Sequence, residues 1–150
     1  MELQDVLDAV NVRLVKKWPD RTVYIDVCPA DFKRPSFWLA VEDYRQTDAN
    51  RFLVKRSLRM KLTIYDEKDE QYESSWQRLF QDAADATLLL TPPLEAAGRV
   101  VLLQIKALPR DPDAAYLQLT AEWLDKRPEA AKQEAPVAES VQVRVTITNR

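Results

Sequence analysis

The chain has 150 residues, 46% of them apolar and 31% charged, with a formal net charge of −2. These are the proportions of one globular domain with a real core, and they exclude bulk attraction to nucleic acid or an anionic membrane. Cys28 is the lone cysteine, which excludes an intrachain disulfide; the absence of histidine and the single glycine, Gly98, remove the usual proton shuttle, the commonest metal ligand and any glycine-rich phosphate cradle.

Residues 2–17 predict an amphipathic helix, because Leu3, Val6, Leu7, Val10, Leu14 and Val15 recur at three- and four-residue spacing and Trp18 continues the stripe. Glu2 and Asp5 near its start and Arg13, Lys16 and Lys17 near its end match the helix dipole. The acidic first residues have no long apolar stretch, and no apolar run approaches a membrane span, so a soluble protein made in a cytoplasm is expected. Residues 22–27 then alternate Val23, Ile25 and Val27 with Tyr24 and Asp26, a first strand that ends at Cys28-Pro29.

Next comes the charged turn Asp31-Phe32-Lys33-Arg34-Pro35, in which Pro35 forces Arg34 out of helical geometry. It feeds a second strand over residues 36–42, with Phe37, Leu39 and Val41 on one face. A loop displaying Asp31, Phe32, Lys33 and Arg34 on a firm strand suits gripping another protein better than transforming a substrate. Residues 44–50 are polar and read as a loop or hairpin tip.

Residues 52–65 form the longest alternating run. Val54, Leu58, Met60, Leu62 and Ile64 face one way, and Lys55, Ser57, Arg59, Lys61 and Thr63 the other. Arg56 falls on the apolar side, at a rim or beside a bulge that resets the register. A second helix is predicted over 70–89, its buried face made of Tyr72, Trp76, Leu79, Phe80, Ala83, Ala84, Thr87 and Leu88, with Pro92-Pro93 as its stop. Residues 99–107 and 115–124 predict two strands around the turn residues 109–113. Residues 128–138 carry no periodic apolar pattern and read as an exposed arm, and Val141, Val143, Val145 and Ile147 alternate as a last strand over 140–148.

The order α-β-β-β-α-β-β-β predicts a single α+β domain over 1–150: a mostly antiparallel sheet of about six strands with two amphipathic helices packed on it. The last strand either completes its own sheet or pairs with a neighbouring copy.

Reactive sets are missing. The adjacent acid pairs Glu42-Asp43, Asp66-Glu67 and Asp69-Glu70 point to opposite faces or sit in solvated turns, and no oxygen cluster has metal-binding spacing. No catalytic residue, cofactor or metal ligand is expected. The cations Lys55, Arg59 and Lys61 on one side of one strand allow a nucleic-acid-binding module over residues 51–61. Single-strand binders interleave aromatics with such charges, however, and here only Phe52 and Tyr65 at the ends are aromatic. A polar sheet face, or a contact with the acidic stretch 66–73 of another subunit, accounts for the run better.

In its helix–strand opening, in Asp31-Phe32-Lys33-Arg34-Pro35-Ser36-Phe37-Trp38 and in the basic strand ending at Tyr65, the chain resembles the phage tail terminator family of Gram-positive phages and phage-like tail elements over most of residues 1–125. Asp31 stands where that family usually has glycine. The resemblance implies a structural protein and not an enzyme: a hexameric ring on the last ring of the tail tube that halts its growth and presents a surface for joining the head. In contractile tails the ring also anchors the last sheath ring. The implied partners are copies of the chain, the tube protein, a sheath protein and a head-completion protein, with DNA only as cargo. The implied location is the virion tail, assembled in the host cytoplasm. Partner-binding residues expected on this reading are Asp31, Phe32, Lys33, Arg34, Lys55, Arg59 and Lys61.

Overall fold

The computed structural model describes residues 1–68 and 75–128. The predicted arm after Pro128, the strand over 140–148, and the acids Asp69, Glu70 and Glu73 of the predicted acidic stretch lie outside the described residues. Among the described residues two helices, α1 (Leu3–Lys17) and α2 (Trp76–Leu90), accompany seven strands: β1 (Thr22–Ile25), β2 (Ser36–Asp48), β3 (Leu53–Tyr65), β4 (Leu94–Ala96), β5 (Arg99–Val101), β6 (Leu103–Asp111) and β7 (Ala114–Lys126). The main sheet runs β1-β2-β3-β7-β6, and β4-β5 form a separate ribbon. The class is α+β and mostly antiparallel, as expected; among the described strands only β1 and β2 pair in parallel.

β3 is the spine. It pairs from Leu53 to Tyr65 with β7 without a break, and with β2 on its other side. Its even-numbered residues Leu58, Met60, Leu62 and Ile64 are fully buried, beside Phe37 and Leu39 of β2 and Leu117, Leu119 and Ala121 of β7. Both helices cover this one face, through Val6, Leu7, Val10 and Leu14 of α1 and Leu79, Ala86 and Leu90 of α2. The opposite face of the sheet carries no helix among the described residues.

Several boundaries differ from the sequence reading, each for a local reason. β2 continues to Asp48, so residues 44–48, read as loop, form the second half of a long hairpin arm; its backbone pairs with β3 although its side chains are exposed. Asn50 makes the true tip, its side-chain oxygen accepting from the N–H of Phe52 and Leu53 at 2.8 and 2.9 Å. The bulge considered for β3 lies instead on β2, between Val41 and Asp43.

α2 is rotated from the expected face. Leu79, Ala86 and Leu90 point inward, whereas Trp76, Phe80, Ala84 and Leu88, one four-residue row of the predicted stripe, point outward. Val15 of α1 is exposed as well. The predicted strand 99–107 is interrupted at Leu102, so that β5 turns back on β4 through Ala97 and Gly98, both at positive φ (51° and 74°), before β6 joins the main sheet. Asp31 needs no glycine-like backbone: among the described non-glycine residues, positive φ occurs at Asp26 and Ala97.

Candidate docking surfaces

The turn over 30–35 is firmly built. The Arg34–Pro35 peptide is cis, and the Lys33 N–H donates to the Tyr24 hydroxyl at 2.9 Å. Arg34 reaches under the turn, donating to the carbonyls of Asp66 (2.9 Å) and Asp113 (3.1 Å) and to the Asp113 carboxylate (3.1 Å). Its guanidinium also lies 4.9 Å from the ring centroids of Phe32 and Tyr65, which pack 4.2 Å apart. The expected display of four side chains therefore holds for Asp31 and Lys33, which are exposed, while Phe32 and Arg34 are half-buried and turned onto the body. A guanidinium so saturated with acceptors and ring faces is a latch between the turn, the end of β3 and the β6–β7 turn. Burial raises the pKa of the Tyr65 phenol beside it.

The helix-free sheet face carries the other three predicted cations. Each has a partner there: Lys55 with Glu122 at 3.5 Å, Arg59 with Glu42 at 3.7 Å, and Lys61 stacked 4.2 Å from the centroid of Tyr116. Asp43 and Arg45 add a pair at 2.8 Å. The face is thus a charge mosaic and not a single-sign track. The turn and this face adjoin at Tyr65 and Tyr116, but Lys55 lies at the far end of β3.

Sequence reasoning missed the polar groups that fix the edges of the body. Asp125, only 12% exposed, gathers the Met1 amine at 3.4 Å, Arg56 at 3.1 Å, Arg99, and the Trp123 indole N–H at 3.0 Å. This is why Arg56 tolerates the apolar side: it also donates to the Tyr44 hydroxyl at 3.1 Å. Burial pushes the Asp125 carboxyl up, but the hydrogen bonds from Trp123 and Arg99 and the N-terminal amine outweigh it and hold the carboxyl below the usual carboxylate range. Arg13 of α1 donates to the carbonyls of Leu89 (3.3 Å), Pro92 (2.6 Å) and Pro93, satisfying the end of α2. Arg127 donates to Asp48 and to the carbonyl of Asn50, each at 2.9 Å, tying the end of β7 to the β2–β3 tip. The only sequence signal for these was an ionisable residue placed within or beside an apolar pattern.

No helix among the described residues is long and apolar enough to cross a membrane. No curated protein matches the chain. One solved structure shares 12% identity, covering 85% of this chain and 96% of its own length, with a TM-score of 0.43. The family model described as phage tail terminator protein matches residues 5–83, from α1 through the 30–35 turn, β2 and β3 into α2. That match spans more than half of the sequence and contains the turn and the basic strand singled out above, so the chain belongs to the phage tail terminator protein family, structural proteins of the virion tail that act with other tail components.

Proposed function

We propose that this chain assembles with copies of itself into a ring, hexameric as the resemblance implies, that caps the tail tube, stops its growth and offers the surface to which the head is joined. The observation that carries this reading is the family match over residues 5–83. The geometry agrees with it. A cyclic ring needs two different, complementary flanks on each subunit, and the two edges of this sheet differ, with β1 on one and β6 on the other. Asp31 and Lys33 stand on a braced turn, a rigid and charged contact point for the tube protein, or for a sheath or head-completion protein. Lys55, Arg59 and Lys61 serve a second contact, with a neighbouring subunit's charges, by exchanging partners within their mosaic. No cofactor enters this role. The nucleic-acid reading of the basic strand is less supported, because a phosphate would have to displace Glu122 and Glu42 from their cations.

Native mass spectrometry of the purified chain, alone and with preassembled tail tubes, tests the reading. A closed ring that binds tube ends and blocks further addition of tube protein is expected. A chain that stays monomeric in both conditions and leaves tube growth unchanged would refute it.

A further inference from the structure

The outer edge of the sheet is unfinished among the described residues. β6 pairs with β7 from Leu103 to Leu108, and no described strand lies on its other side. Proline is absent from that stretch until Pro109, and Lys106 is its one charged side chain, so the edge lacks most of the devices that keep such edges single. Helix α2 turns two aromatics outward: Trp76 and Phe80, 52% and 54% exposed and packed edge to face at 5.6 Å. The Arg110 guanidinium, at the end of β6, lies 5.7 Å from the Phe80 ring centroid, which places Phe80 beside the Arg110 end of β6. A backbone edge with an exposed aromatic pair at its Arg110 end forms a seat for one more strand.

The geometry points to residues 140–148 of the same chain as its occupant. The alternation of this segment fits the seat on both sides. At β6 the helix-bearing face carries Leu103, Ile105 and Ala107, opposite Ala121, Leu119 and Leu117, while Gln104 and Lys106 face the open side. Val141, Val143, Val145 and Ile147 continue the first face, and Gln142, Arg144 and Thr146 continue the second. Reach is ample. The described chain ends at Pro128, just after Arg127 is tied to the β2–β3 tip. Residues 129–139 then span up to roughly 35 Å at ~3.3 Å per residue, more than the roughly 23 Å along β7 between Pro128 and Ala121, which lies opposite Leu103, so the segment enters the edge at its Leu103 end. A linker this short holds the segment at an effective concentration of order millimolar, which favours pairing within one chain over exchange between chains. The added strand makes the main sheet six-stranded and leaves the flanks of the body different from each other.

Hydrogen–deuterium exchange on the full chain tests this. The amides of residues 103–108 are expected to be protected in the unmodified chain, equally at low and high protein concentration. The double substitution Val143→Asp and Val145→Asp should speed their exchange by about tenfold or more, while Gln142→Asp with Thr146→Asp, on the open side, should leave it nearly unchanged. Rapid exchange of these amides in the unmodified chain would overturn the inference. So would equal effects of the two double substitutions, or protection that appears only as copies associate.

Discussion

Arg34 and Asp113, 79 positions apart in sequence, meet at 3.1 Å and join the 30–35 turn to the turn between β6 and β7. That ion pair divides the turn into a brace, Phe32 and Arg34, and a presented pair, Asp31 and Lys33. The division decides which substitutions test docking and which test only folding.

Arg34→Ala removes three hydrogen bonds and two ring contacts from a half-buried guanidinium, and should lower stability by about 2–3 kcal/mol. Lys33→Glu changes an exposed side chain and should stay within about 0.5 kcal/mol. Urea unfolding of the two variants separates them, and only Lys33→Glu is then a clean probe of tube or head attachment.

Asp125→Asn leaves Arg56, Arg99 and the N-terminal amine around a neutral group and should cost about 3 kcal/mol. Because the folded carboxyl titrates below its unfolded value, its stabilisation is complete above the unfolded pKa of about 3.9 and is lost as pH falls through the lower folded value. Melting curves between neutrality and acid should therefore show the gap between the native chain and Asp125→Asn closing below about pH 4. Asp82 works in the opposite sense: burial raises its pKa despite Arg21 at 3.1 Å, so its protonation on acidification favours the fold.

The two sides of α2 differ in what they hold. Leu79→Ala opens a cavity under a fully buried side chain and should cost about 2–5 kcal/mol. Leu88→Ser, at a side chain 72% exposed, should change stability by no more than about 0.5 kcal/mol. Equal losses in a denaturant series would contradict this assignment of the helix's buried and exposed sides.

Ala97 and Gly98 both adopt positive φ in the two-residue turn between β4 and β5. Ala97→Asn gives that turn the Asn-Gly pair it favours and should stabilise by up to about 1 kcal/mol. Gly98→Ala should destabilise by about 1 kcal/mol through the backbone alone, since a methyl group there meets nothing within 4 Å. Thermal melts of the two variants should move in opposite directions.

What the sequence made legible follows from range. β3 announces itself because from Ser57 to Ile64 its even residues are apolar and its odd ones polar, Arg56 being the exception before them, and α1 because its stripe keeps helical spacing. The outer half of β2 was hidden because residues 44–48 are exposed on both faces, and alternation records burial rather than backbone pairing. In α2, Trp76 and Phe80 looked like core by residue type, and only the fold shows that they face outward, with Phe80 beside Arg110 of β6. The turn could be picked out from Lys33-Arg34-Pro35, yet its division into brace and contact depends on Asp66 and Asp113, which no local pattern connects to Arg34. Asp125 was invisible for the same reason, since its partners come from the N-terminus, β3 and β5.

We propose that this chain ends the tail. The most direct test is the length of tails, measured by electron microscopy, in particles produced with and without the protein. Uncapped tails of uneven and excess length, free of heads, are expected when it is missing, and normal tails when it is restored. Tails of normal length joined to heads in its absence would contradict it.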